Sequence, residues 1–268
     1  MLEPLDWPGF ADVSLGGLLL LCAAAFAAGT IDAIVGGGGL LQLPALLLIM
    51  PGGGAICSLA TNKLASIAGT TAASAAYARR GAIDWRSTLP MAFLALLGSV
   101  GGAVFADALP SEALNAVVLV AIAAVGVYTW RRPQLGVRPR PRFSGAAQLA
   151  VLLAGGALIG FWDGIAGPGT GSFLVFLLVG LGGLAFVNAS ATAKVVNAAT
   201  NLGALLFFVP AGKVLWGLGL VMAVANMSGS VLGTAVATSR GSGFIRRVFL
   251  TVVVGMLISL GWKFAASV

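Results

Sequence analysis

Histidine is absent from this chain, and charge of either sign is scarce: 8 acidic and 15 basic residues stand in 268 positions. Without histidine there is no imidazole acid–base catalysis, no His-bound haem and no His-ligated metal site. The shortage of charge excludes most soluble classes, since a soluble domain carries about 25% charged residues and this chain has 9%. Cysteine is nearly absent as well. Cys22 and Cys57 lie far apart with no CxxC spacing, which argues against a dithiol relay or a thiolate metal site. Both stand among small residues and read as packing groups.

What fills the chain is apolar. Hydrophobic residues make up 59%, and mean hydropathy is +1.04. A soluble protein of this size cannot hide so much apolar surface, and disordered chains are charge-rich and apolar-poor. An all-α polytopic membrane protein remains. At about 20 apolar residues per spanning helix there is room for roughly eight to ten spans. The net charge of +7 then reads as a topology signal rather than a nucleic-acid footprint. Residues 1–14 carry Glu3, Asp6 and Asp12 and no basic residue, so they read as a short acidic tail, not a secretory signal.

Apolar segments fall near 15–35, 40–50, 59–78, 89–109 and 113–130. A basic linker with Pro133, Pro139 and Pro141 occupies 131–144, and the pattern restarts near 146–165, 173–181, 186–209, 215–238 and 248–264. The expected organisation is a first transmembrane repeat over 15–130 and a second over 145–268. In each half a glycine-rich string, Gly36-Gly37-Gly38-Gly39 or Gly167-Pro168-Gly169-Thr170-Gly171, precedes a short apolar piece. Such a piece reaches only about half-way across a bilayer, so it is expected to be a half-helix or a re-entrant segment.

A shift of 131 residues aligns the halves without gaps from Gly29 to Gly102. Asp32 then meets Asp163, Gly36 meets Gly167, Gly38 meets Gly169 and Lys63 meets Lys194. Trp85 meets Trp216, and Gly98-Ser99-Val100 meets Gly229-Ser230-Val231. Chance can match Gly, Ala and Leu in such a composition, but not readily Asp, Lys and Trp in one register. Duplication of this kind marks transporter folds. Five segments per half, an odd number, make the repeats inverted. With the amino terminus outside, Arg79, Arg80, Arg86, the linker arginines, Arg240, Arg246 and Arg247 fall inside, and only Lys213 and Lys263 fall outside. Both termini are therefore expected outside.

Four charged side chains lie at membrane depth, where each is expensive. Lys63, Ser66 and Thr70 share one helix face, and the repeat puts Lys194, Asn197 and Asn201 on its equivalent. These stripes read as an anion site across a central cavity, or as lysines that snorkel to the interface. The glycine strings at Gly37, Gly38, Gly39 and at Gly169, Thr170, Gly171 open short helices, whose free N–H groups and positive ends can hold an anion. Gln42, Asn62 and Ser172 add side-chain donors; close helix packing through small residues is the other reading. Asp32 and Asp163 precede the breaks, and proton coupling, a fixed ion pair and capping of freed N–H groups are all open to them. A structural or coupling role is favoured, since carboxylates would repel an anion. Trp85 and Trp216 read as interface anchors. With no HExxH, no GxSxG and no nucleotide-binding motif, the chain is not expected to be an enzyme or to hold a cofactor or metal.

The strings Gly29-Thr30-Ile31-Asp32 through Gly39, Ala60-Thr61-Asn62-Lys63 and Gly81-Ala82-Ile83-Asp84-Trp85, with their second-half copies, resemble the sulfite exporter TauE/SafE family of membrane permeases. The likeness runs from about 15 to 265. It implies a multi-pass protein of a bacterial-type inner membrane. The implied function is transport of a small sulfur-containing anion such as sulfite or an organosulfonate, and the lack of a nucleotide-binding motif makes a secondary transporter coupled to an ion gradient the expectation. An exporter of an amino acid or cation, or an anion channel, is the alternative.

Overall fold

The structure, a computed structural model, describes residues 9–10, 12–50, 54–114, 116–117, 120 and 145–265. Most of the acidic tail, the later part of the segment expected at 113–130 and the basic linker lie outside the described residues.

The regular elements are α-helices: α1 (Leu15–Val35), α2 (Gly39–Ile49), α3 (Gly54–Ala78), α4 (Trp85–Asp107), α5 (Gly145–Ile165), α6 (Thr170–Gly180), α7 (Phe186–Phe208) and α8 (Trp216–Ala265). The order long, short, long, long occurs twice. Local chemistry sets the boundaries. Ser14 caps α1 by accepting from the Gly17 N–H, and Asp84 caps α4 through the Arg86 N–H. Gly36 ends α1 in the left-handed region, at φ 82°, and Gly167 does the same after α5, at φ 83°. α2 and α6 have 11 residues each, about 16 Å of helix.

Among the described residues five helices are long and apolar enough to cross a membrane: α1, α4, α5, α7 and α8 over Trp216–Arg240. α3 is as long, at 25 residues, but its buried face carries Ser58, Thr61, Asn62, Lys63 and Thr70. The segments expected at 215–238 and 248–264 form one continuous helix rather than two. Nothing between them breaks the backbone: there is no proline, and Thr238 and Ser239 hydrogen-bond to carbonyls of their own helix.

The halves interleave. α1 packs along α8 and α4 along α5; α3 lies against α7 and α8, and α4 against α7. Contacts within a half are sparser. Glycine permits the closeness. A Cβ at Gly29 would lie 2.1 Å from the Asn226 carbonyl oxygen, and one at Gly229 would lie 2.0 Å from that of Phe26. Gly160 stands in the same relation to Ala95, at 2.1 Å, and Gly98 to Ala157, at 2.3 Å. These are backbone-to-backbone crossings of small-residue type. Trp85 and Trp216 head α4 and α8 and are exposed, as anchors require.

Two adjacent glycines on α4 separate packing from helix propensity. A Cβ at Gly102 would meet the Phe161 carbonyl oxygen at 2.0 Å, whereas one at Gly101 finds its nearest neighbour at 3.7 Å. In thermal unfolding of the detergent-purified protein, Gly102→Ala is expected to destabilise by about 1–3 kcal/mol. Gly101→Ala is expected to be neutral, or stabilising by up to about 1 kcal/mol.

Candidate functional site

Two crossed ion pairs hold the centre of the bundle. Lys63 on α3 reaches Asp163 on α5, with Nζ to Oδ2 at 2.8 Å. Lys194 on α7 reaches Asp32 on α1, with Nζ to Oδ2 at 2.7 Å. Each lysine thus takes its carboxylate from the other half. The lysines are 1% and 0% exposed, so neither snorkels to an interface. Lys63 Nζ also donates to the Asp163 backbone carbonyl at the end of α5, where a cation meets the negative helix end.

The carboxylates also stabilise the breaks. Asp32 Oδ1 accepts from the Gly38 N–H at 3.2 Å. Asp163 Oδ1 accepts from the Thr170 hydroxyl at 2.7 Å. Of the three roles open to these residues, ion pairing is present at both and capping of a freed N–H at Asp32. The breaks cross in backbone contact: a Cβ at Gly36 would lie 2.4 Å from the Gly171 carbonyl carbon. Ser172 Oγ donates to the Gly36 carbonyl at 3.1 Å. Gly167 is confined by chemistry as well, since a Cβ there would sit 2.7 Å from Lys63 Nζ.

Against this crossing lies a small polar cavity of about 20 Å³, room for about one water. Twelve of the sixteen residues singled out in the sequence line it. Gly38 and Gly39 open α2; Gly169, Thr170 and Gly171 open α6. Asn62, Lys63 and Ser66 come from α3, Asn197 and Asn201 from α7, and Asp32 and Asp163 from the ends of α1 and α5. Four lie behind the wall. Lys194 is sequestered by Asp32, and Ser172 is tied to Gly36. Gln42 accepts from Asn226 Nδ2 at 2.7 Å, and Gly37 sits outside the lining. Three wall residues escaped the sequence reading: Gly36, Gly167 and Asn226. The glycines lay in the strings already noted. Asn226 was findable as a polar residue in an apolar run, but its repeat partner is Ala95, so a search for duplicated polar residues passes over it.

Two lysines that the repeat makes equivalent therefore differ: Lys63 faces the cavity and Lys194 does not. Lys194→Ala strands a buried carboxylate and is expected to cost about 3–5 kcal/mol. The double variant Lys194→Met with Asp32→Asn is expected to recover much of that loss. A double-mutant cycle read by denaturant unfolding in detergent measures both.

Known proteins place this architecture. The sulfite exporter TauE/SafE family profile matches residues 21–260. A probable membrane transporter protein, ORF9, of a Sinorhizobium species is 35% identical over 249 residues, covering 93% of this chain and 94% of that protein. The probable membrane transporter protein YfcA of Escherichia coli K12 is 36% identical over 198 residues, 73% of this chain and 72% of its own length. A probable membrane transporter protein of Haemophilus influenzae is 33% identical over 238 residues, 88% of this chain and 91% of that protein. No solved structure matches significantly. The apolar spans suit a membrane protein, and the family match and these relatives show that the chain is a membrane transporter, not an enzyme, and that it belongs to the sulfite exporter TauE/SafE family.

Proposed function

We propose that the chain is a secondary transporter for a small sulfur-containing anion, sulfite or an organosulfonate such as sulfoacetate, coupled to an ion gradient. One observation carries this reading: Lys63 and the starts of α2 and α6 line the same small polar cavity. Helix starts present unpaired N–H groups and a partial positive charge, which suit an anion. Ser66 adds a hydroxyl, and Asn62, Asn197 and Asn201 add amides. At about 20 Å³ the cavity has room for about one water, so it must open to take sulfite and open further to take an organosulfonate. A cation or amino-acid exporter finds little support, because both buried carboxylates are already matched by lysines.

The reading includes two repeats, over 15–130 and 145–268, of opposite orientation. Three contacts support it. Asp107 at the end of α4 pairs with Lys213 in the α7–α8 turn at 3.0 Å. The Leu218 N–H donates to the Gly9 carbonyl, so α1 and α8 start at one end. Asp84, Gly145 and Gly182 border one groove, so α4 and α5 start together beside the α6–α7 turn. The α3–α4 and α7–α8 turns, equivalent in sequence, then lie at opposite ends. The arginine bias adds that the amino terminus is outside and the α3–α4 turn inside.

The test is a thermal-shift series on the purified protein with sulfite, sulfate, thiosulfate, sulfoacetate, taurine and chloride. One sulfur anion is expected to stabilise the wild type, by about 2.7 kcal/mol at a hundredfold excess over Kd. Lys63→Met with Asp163→Asn, which strands no buried charge, is expected to fold and lose the response. A wild type that answers only to a cation or an amino acid sinks the sulfur-anion reading.

A further inference from the structure

We infer that the cavity is built for a singly charged oxyanion that brings its own hydrogen-bond donor, a hydrogen oxyanion, in preference to a dianion. The inference rests on the anion-site reading above and deepens it.

The first ground is charge. Lys63 is balanced by Asp163 and Lys194 by Asp32, so the buried side chains sum to zero. What remains is the two helix starts, each equivalent to about half an elementary positive charge. Together they match one negative charge. A dianion leaves a second charge uncompensated among apolar helices, where an unpaired charge is expensive.

The second ground is an acceptor without a partner. Asn62 is 4% exposed and lines the cavity, yet its Oδ1 has no hydrogen-bond partner. The neighbouring amides are engaged: Asn201 Nδ2 donates to the Asn197 carbonyl at 2.9 Å, and Asn197 Oδ1 accepts from Thr200. A bare oxyanion only accepts and cannot satisfy Asn62 Oδ1. An O–H on the ligand can. The repeat puts Ala193 opposite Asn62, so this acceptor stands on one side only.

The titratable groups on the surrounding helices are few. Asp32, Lys63 and Asp163 reach the wall, and Lys194 stands behind Asp32. Tyr77 on α3 is committed to the Ala33 carbonyl. α2 and α6 carry none, and α4 carries Arg86 at its start and Asp107, paired with Lys213, at its end. On α8 the first is Arg240.

The experiment is titration calorimetry of the full-length purified protein with sulfite and with chlorate, in mildly acid and mildly alkaline buffer. Sulfite takes up its proton near neutrality. Chlorate has the same pyramidal shape and one charge, and carries no proton at either pH. Sulfite affinity is expected to fall about tenfold for each pH unit above its own ionisation, following the protonated fraction. Chlorate is expected to bind more weakly than acid sulfite and without pH dependence. Asn62→Ala is expected to weaken acid sulfite by roughly fivefold, the value of one hydrogen bond, and to spare chlorate. Sulfite affinity that is flat or rises with pH overturns the inference. So does chlorate affinity that falls in step with sulfite, which assigns the proton to the protein. Asn62→Ala weakening both ligands alike overturns it too, because Asn62 would then be a donor to the anion. If neither anion binds, the anion-site reading itself fails.

Discussion

Four charges buried in an apolar bundle set the terms for everything else. In the structure neither half pairs its own. The lysine of α3 needs the carboxylate of α5, and the lysine of α7 needs that of α1. Separating the halves would strand two ammonium groups and two carboxylates in a medium that solvates neither. The interleaving of the long helices follows from this. So does the glycine at their crossings, because lysine side chains span the centre only if the backbones around them approach closely.

The same constraint explains where the breaks fall. A chain that leaves the helix inside a membrane must satisfy each freed backbone group within the protein. Asp32 and Asp163 each stand four residues before a left-handed glycine, so each carboxylate serves its lysine and its break together. The freed carbonyls find side chains. Gly36 is met by Ser172, Ala33 by Tyr77, Pro168 by Trp162 and Asp163 by Lys63. Two of these donors, Ser172 and Lys63, come from the other half, so the irregular backbone adds a second tie between the halves.

Much of this was legible from residues alone. Spans, half-length pieces and the register of the repeat follow from hydropathy, glycine and the rare polar side chains, which are local or pairwise signals. Three things were not. Which aspartate pairs with which lysine is a matter of contacts across 100 and 162 positions, and a repeat shows equivalence without showing whether partners lie within a half or across it. The continuity of α8 was hidden because glycine and serine near 239–243 lower apolarity without breaking a helix. Lys194 was grouped with Lys63 because their sequence contexts match. Equivalence in sequence did not carry over to equal access to the cavity, and the unduplicated Asn226 was missed for the complementary reason.

The two halves agree where the frame needs agreement and differ at the wall. The central aspartates and lysines, the left-handed Gly36 and Gly167, and the crossing pairs Gly29 with Gly160 and Gly98 with Gly229 match under the repeat. Around the cavity Asn62 faces the position of Ala193, Gly39 that of Thr170, Ser66 that of Asn197, and Asn226 that of Ala95. A fully symmetric wall would offer a ligand two equivalent poses and no means of choosing between them. These departures remove the degeneracy. One side presents the facing lysine and the unpartnered amide oxygen, while the other holds its lysine behind a carboxylate. The pseudo-symmetric frame supplies closeness and neutrality, and its local violations give the cavity a single polarity.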